Sequence, residues 1–173
     1  MLTDALNNFL PVGSNLAVTN VAVPSNVYDM MGSGVGTAPP NIIGNPSLFG
    51  TDMGIGLWRP QVACATGSVA WAGGTSLTIA FQAAPDTATT HVAGAWTTLM
   101  DIPGIPVAQL TANAVIGRFD FPPAIPPGLN ARYLRLLFTP TGTFTAGVIA
   151  FALVTLDRDD QANKFAGSNF KVA

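Results

Sequence analysis

The chain has 173 residues, of which 49% are hydrophobic and only 9% are charged, and its formal net charge at pH 7 is −2. Soluble domains usually carry about 25% charged residues. The surface is therefore covered with Thr, Asn, Ser and Gln, or much of it is buried in an assembly, and the two are compatible. The seven Lys and Arg residues are scattered, which excludes the basic face that electrostatic binding of nucleic acid requires.

The composition also favours strands over helices. Glu is absent, and Lys164 and Lys171 are the only lysines, so amphipathic surface helices are hard to build from this sequence. The 18 Gly and 14 Pro residues supply frequent turns. We therefore predict an all-β chain that forms one domain over residues 1–173, because this length can bury one sizeable core.

In the first third of the chain, residues 1–10 predict a short helix or an arm that docks on a neighbour, without the pattern of a secretory signal. Residues 12–23 are rich in Val and Ala and predict a strand. Residues 28–49 contain closely spaced Gly and Pro, which is typical of a long irregular loop. Residues 57–66 predict a strand in which Pro60 favours a sheet edge or a bulge.

The middle of the chain alternates between apolar and polar residues in two places. Alternation over residues 76–82 and again over residues 115–121 predicts two half-buried strands. Between them, residues 96–100 are predicted to be extended and residues 108–114 to form one or two helical turns.

Two further strands are predicted near the C-terminus, over residues 132–139 and 143–154. The segment that joins them, Thr139-Pro140-Thr141-Gly142, is typical of a tight turn and predicts an antiparallel hairpin. Residues 157–173 are polar and predict a tail. About eight strands separated by Pro/Gly turns predict a β-sandwich or barrel.

The strand over residues 143–154 is uncharged and apolar on both faces. An antiparallel strand with one face in water would alternate apolar with polar residues, so both faces of this one should be covered. The bulkier set, Ile149, Phe151 and Leu153, is predicted to face the chain's own core. The smaller alanines on the other face suit the close approach of a second layer.

No residue pattern predicts an enzyme, a metal site or a cofactor site. His91 is the only His and has no Gly-x-Ser-x-Gly elbow to support, so a loop histidine is the simpler interpretation. Cys64 is interpreted as a buried small residue. The glycines of residues 32–36 lack the following helix that a nucleotide site needs. The charged residues 157–160 lack the pattern of a calcium loop. Nine Asp residues leave a paired-carboxylate site open, but no spacing points to a pair.

Several short segments resemble, in order, the capsid cement (decoration) proteins of tailed bacteriophages. The resemblance is best seen in Asn130-Ala131-Arg132-Tyr133-Leu134-Arg135-Leu136 followed by Phe144-Thr145-Ala146-Gly147-Val148. Earlier pieces are Pro24-Ser25-Asn26-Val27-Tyr28-Asp29-Met30, Ser76-Leu77-Thr78-Ile79 with Gln82 and Asp86, and Trp96-Thr97-Thr98-Leu99. The pieces cover most of the chain, although residues 32–56 are longer and richer in Gly and Pro than in that family.

The resemblance implies a jelly-roll β-sandwich without catalytic activity or cofactors. It implies a homodimer or homotrimer that binds the outer surface of an icosahedral capsid and bridges major capsid proteins, after assembly in the host cytoplasm, with no nucleic-acid or membrane partner. The alternative is a carbohydrate-binding or receptor-binding β-sandwich module of a virion, in which Trp58 and Trp71 would contact the ligand. The sequence leaves open whether Trp58, Trp71 and Trp96 are core residues or interface anchors.

The predicted contact surface with the capsid or a sister subunit has three parts: the apolar N-terminal arm, the apolar side chains in and after the long loop, and the second face of the strand over residues 143–154. The predicted contact residues are Leu2, Leu6, Phe9, Leu10, Met30, Met31, Phe49 and Trp58.

Overall fold

The computed structural model of the protein describes residues 8–29, 60–87, 92–120 and 128–156. Within these ranges the chain forms twelve strands and a single 3₁₀ turn, Val107–Gln109, so the prediction of an all-β chain is confirmed. The strands are β1 (Asn8–Leu10), β2 (Leu16–Ala17), β3 (Val23–Pro24), β4 (Tyr28–Asp29), β5 (Pro60–Thr66), β6 (Ala72–Gly73), β7 (Ser76–Pro85), β8 (Thr97–Pro106), β9 (Val115–Asp120), β10 (Ala131–Thr141), β11 (Phe144–Ala146) and β12 (Val148–Leu156).

The strands form two five-stranded antiparallel sheets and one short two-stranded sheet. Sheet A has the order β1–β12–β5–β9, with β2 also paired to β12. Sheet B has the order β3–β10–β7–β8, with β4 also paired to β10. The short sheet pairs β11 with β6.

The chain passes repeatedly from one sheet to the other. It builds β1 and β2 in sheet A, β3 and β4 in sheet B, β5 in sheet A, and β7 and β8 in sheet B. It then continues with β9 in sheet A, β10 in sheet B and β12 in sheet A. Strands that are neighbours in a sheet are therefore mostly distant in sequence, as when Asn8 of β1 lies opposite Leu153 of β12.

Both sheets contribute to one hydrophobic core. In sheet B, alternate residues of β7 and β10 point inward, because successive side chains of a strand face opposite sides. Sheet A supplies the facing layer from β1, β5 and β12. The fully buried core residues of these strands are Phe9, Val62, Cys64, Leu77, Ile79, Ala83, Leu136, Phe138, Ile149 and Ala152, each with 0% of its surface exposed.

The predicted hairpin between residues 132–139 and 143–154 is wrong, because the two strands belong to different sheets. β10 pairs with β7 and β12 pairs with β5. Gly142 (φ 81°) and Gly147 (φ 100°) both adopt backbone conformations that favour glycine. The chain therefore turns twice, forms the short strand β11 between the two turns, and crosses to sheet A.

The two faces of β12 also differ from the prediction. The register with β5 shifts between Ile149 and Phe151, and such a bulge moves the following side chains to the other face. Ile149 and Ala152 consequently both face the core, three residues apart. Leu153 is 2% exposed but stands outside that core cluster, and Phe151 is half-buried.

Other predicted elements are confirmed or corrected as follows. The strands predicted over residues 76–82 and 115–121 are confirmed as β7 and β9. The strand predicted over residues 12–23 is instead two short ones, β2 and β3. β5 begins at Pro60 and lies inside sheet A, since proline is tolerated as a first strand residue. Part of the predicted arm, Asn8–Leu10, is strand β1.

Candidate binding surface

The structure places two of the predicted contact residues, Phe9 and Leu10, inside the chain's own core. Phe9 is 0% exposed, and its ring lies 5.8 Å from that of Tyr28 and 5.9 Å from that of Phe81. Leu10 is 4% exposed. In this conformation the two side chains have almost no surface to present to a partner.

The other predicted contact residues lie outside the described residues. They are Leu2, Leu6, Met30, Met31, Phe49 and Trp58. His91, the glycines of residues 32–36, the charged residues 157–160 and the remainder of the predicted tail also lie outside them.

Cys64 is a buried thiol on the core face of β5, as the sequence predicted. Desolvation by the surrounding core raises the pKa of Cys64 from 9.0 to about 12. A thiol that stays protonated at neutral pH is a poor nucleophile, so this cysteine serves packing.

The densest cluster of charges within the described ranges is centred on Arg132. Its Nε and Nη2 donate to the two carboxylate oxygens of Asp29, each at 2.9 Å, and its Nη1 donates to Asp86 at 2.7 Å. Hydrogen bonds to Asp29 and then to Asp86 raise the pKa of Arg132 above its ordinary value. Tyr133 Oη also donates to Asp86, at 3.3 Å. The guanidinium therefore ties the last residue of β4 and the residue after β7 to the start of β10.

A second group of polar side chains lies further along β10 in the same sheet. Arg135 Nε donates to Gln82 Oε1 at 2.9 Å, and Gln82 Nε2 donates to Thr98 Oγ1 at 3.1 Å. The Arg135 guanidinium lies 4.1 Å from the centre of the Trp96 ring. Burial lowers the pKa of Arg135 from its ordinary value. These groups satisfy one another, so they hold β10, β7 and β8 together and show no reactive arrangement.

The described ranges hold no cluster of three or more His, Cys or Asp side chains placed to bind a metal ion. No helix in that part of the chain is long and apolar enough to cross a membrane.

Among the described residues, those at one end of the two-sheet fold include no ionisable side chain, and we call this the uncharged end. It is built from residues 11–22, 67–75, 107–117 and 139–150, none of which is Asp, Glu, Lys, Arg or His. Backbone hydrogen bonds join the four segments, with Gly67 donating to Val148 at 2.9 Å, Asn113 to Gly67 at 2.8 Å and Phe144 to Thr19 at 3.0 Å.

The uncharged end also carries most of the strongly exposed large hydrophobic side chains of the described residues. Four of the six large hydrophobic side chains that are strongly exposed lie on it. They are Val12 at 73%, Val21 at 60%, Val69 at 57% and Val115 at 52% exposure. Exposed apolar side chains on a surface where the described residues carry no charge make this end the candidate contact surface.

Trp71 lies under this surface as a core residue, which answers the question that the sequence left open for it. It is 5% exposed, and its ring meets Phe144 edge-on at 4.8 Å. Its Nε1–H is buried without a hydrogen-bond partner. A buried ring cannot serve as a stacking platform for a sugar, so the carbohydrate-binding alternative loses one of its two aromatic residues.

Sequence reasoning did not find the uncharged end. The available signal was the absence of charge from residues 11–22, 67–75, 107–117 and 139–150. Comparisons with models of known protein families and with curated proteins gave no match.

Proposed function

We propose that the protein is a structural adhesion protein, a capsid cement protein that binds the outer surface of an icosahedral bacteriophage capsid as a homo-oligomer. It acts by bridging neighbouring major capsid proteins. Because it binds the assembled shell, it stabilises the shell by mass action. The observation that carries the proposal is the uncharged end with its four exposed valines.

The strand order supports the finer fold that we propose, a jelly roll. If β1 with β2, and β3 with β4, count as single interrupted strands, the two large sheets contain eight segments. Sheet A then has the order first–eighth–third–sixth, and sheet B has the order second–seventh–fourth–fifth. Two Greek keys folded into two sheets produce this order.

The chemistry of the uncharged end indicates what kind of partner it fits. A surface of Val, Ala, Thr, Asn and Gly makes apolar contacts and neutral hydrogen bonds, and it offers nothing to a polyanion. Its partner is therefore an uncharged protein surface. Because a shell repeats its binding sites, an interface that is weak for one copy becomes effective for a linked oligomer.

The test is to rebind the protein to shells of its own virus that have been stripped of it. Val69→Asp places a charge on the uncharged end and should weaken binding by about tenfold or more, because the interface must desolvate a carboxylate. Val92→Asp is the matched control, since Val92 lies outside this end and is 53% exposed against 57% for Val69. Wild-type binding should change little between low and moderate salt.

Two results would overturn the proposal. One is a steep loss of wild-type binding as salt is raised, which would mean that charges dominate the contact. The other is an equal effect of Val69→Asp and Val92→Asp. In a further measurement, shells that carry the protein should release their genome at a higher temperature than stripped shells, and equal temperatures would remove the stabilising role.

A further inference from the structure

Within the described residues, the outermost strands of the two large sheets differ in how well they could accept another strand. In sheet B, one edge consists of two-residue strands that include Pro24, and the other is β8, which contains Pro103 and Pro106 and two register shifts. In sheet A, one edge is split between β1 and β2. Prolines, bulges and very short strands are features that prevent pairing between edges.

β9 is the exception. It ends sheet A within the described residues, contains no proline, and pairs regularly with β5 from Gly117 to Asp120. The register shift in this pair lies before Gly117. An edge strand of this kind presents a row of backbone N–H and C=O groups to a further strand.

The charges on β9 favour one particular partner. Arg118 and Asp120 are exposed and lie opposite Ala63 and Gln61 of β5, so both point to the outer face of sheet A. Asp120 accepts a hydrogen bond from Gln61 Nε2 at 2.8 Å. A strand with opposite charges two residues apart is complementary to an antiparallel copy of itself.

We propose that two copies of the chain pair through β9, antiparallel, about a two-fold axis at Phe119. In this register Arg118 lies opposite the partner's Asp120, and the symmetry repeats the pair. Centring the axis on Arg118 would place Arg118 opposite itself, and centring it on Gly117 would leave both charges opposite uncharged residues. The register centred on Phe119 therefore pairs opposite charges. It also keeps the outer faces of the two A sheets on the same side of the joined sheet.

The consequence is a dimer in which the A sheets of two copies join into one continuous sheet. The ladder is short, because Pro122 and Pro123 follow β9 in the sequence and proline has no N–H to donate. An interface of this size gives weak association in solution, and it becomes stronger when a shell holds both copies close together. The inference rests on the homo-oligomer in the proposed function and names its contact surface.

The test uses the full-length protein and no capsid, so its failure is distinguishable from failure of shell binding. Analytical ultracentrifugation over a concentration series should detect a dimer of the wild type. Arg118→Asp and Asp120→Arg each turn both cross-strand pairs into like-charge pairs, and each should weaken the dimer by about tenfold or more. Asp101→Arg, an exposed charge change on β8, is the control and should leave association unchanged.

Mixing the two variants gives the decisive measurement. In a mixed dimer the carboxylate introduced at position 118 of one copy meets the guanidinium introduced at position 120 of the other, and the second pair joins the unchanged Asp120 and Arg118. An equimolar mixture of Arg118→Asp and Asp120→Arg should therefore recover a dimer that neither forms alone. A loss of folding in either variant would not produce this recovery. A wild type that stays monomeric at the highest concentration, single variants that dimerise like the wild type, or a mixture that stays monomeric would each overturn the inference.

Discussion

Gly147 and Trp71 are packed so closely that a side chain at position 147 has no room. A Cβ on residue 147 would overlap Cγ of the Trp71 indole, and the backbone there has φ of 100°. The glycine thus does two things at once: it permits the turn from β11 into β12, and it leaves space for the indole that covers this end of the core.

Replacing Gly147 with Ala should therefore destabilise the fold through both effects. Gly13→Ala is the matched control, because Gly13 has φ of 89° and a Cβ at that position would have no atom within 4 Å. We expect Gly13→Ala to cost about 1–2 kcal/mol from backbone strain, and Gly147→Ala to cost about 1–3 kcal/mol more from the clash. Urea unfolding followed by Trp fluorescence measures both, and equal costs would contradict the close contact.

Cys64 predicts a specific fall in stability at alkaline pH. Its folded pKa is raised to about 12 from 9.0, so the unfolded thiol ionises first as pH rises. This group's contribution is fully present below about pH 9 and is lost between pH 9 and 12. By pH 10 the wild type should lose about 1.4 kcal/mol relative to Cys64→Ala, with each compared with its own value at pH 7.

The measurement is urea unfolding of both proteins at pH 7 and pH 10 under reducing conditions. Other groups also titrate over this range, but they are common to the two proteins and cancel in the difference. A parallel pH dependence of the wild type and Cys64→Ala would contradict the assigned burial of the thiol.

Arg132→Lys tests whether the geometry of the guanidinium, rather than its charge, holds the cluster together. Lysine keeps the charge but cannot bind Asp29 through two parallel hydrogen bonds while also reaching Asp86. We expect a lower free energy of unfolding than in the wild type, measured by urea titration. Arg135→Lys, which alters a guanidinium that donates to Gln82 rather than to two carboxylates, is the comparison and should have the smaller effect.

Trp96 and Arg135 should show a measurable coupling. A double-mutant cycle with Trp96→Leu and Arg135→Met should give an interaction energy of about 0.5–1 kcal/mol, the range for a cation over an indole face at a partly exposed site. An interaction energy indistinguishable from zero would mean that the 4.1 Å approach contributes nothing to stability.

The sequence predicted the fold class and most of the long strands, because these depend on local patterns. Alternation over residues 76–82 identified β7, and the scarcity of polar helix formers excluded helices. The pairing of the strands was beyond local patterns. Thr139-Pro140-Thr141-Gly142 has the residues of a hairpin turn, yet β10 and β12 pair with distant strands in different sheets.

The uncharged end could not be predicted from local sequence patterns either. The sequence shows that four segments lack charge. It does not show that they meet at one end, which follows from hydrogen bonds such as that from Gly67 to Val148. The prediction of which side chains of β12 face the core was wrong because the strict alternation of side chains along a strand is interrupted at a bulge. The sequence predicts Phe9 in an arm that docks on a neighbour, but the same apolar side chain suits the chain's own core, in which it lies.

The pairing of β1 with β12 also governs when the protein can fold. Asn8 must find Leu153, and β5 reaches its place between β12 and β9 only after both have been synthesised. During translation β1, β2 and β5 therefore lack their pairing partner β12 until it leaves the ribosome. Such chains fold slowly and are prone to aggregation while incomplete, so we expect the yield of native protein to depend on chaperones that hold the nascent chain.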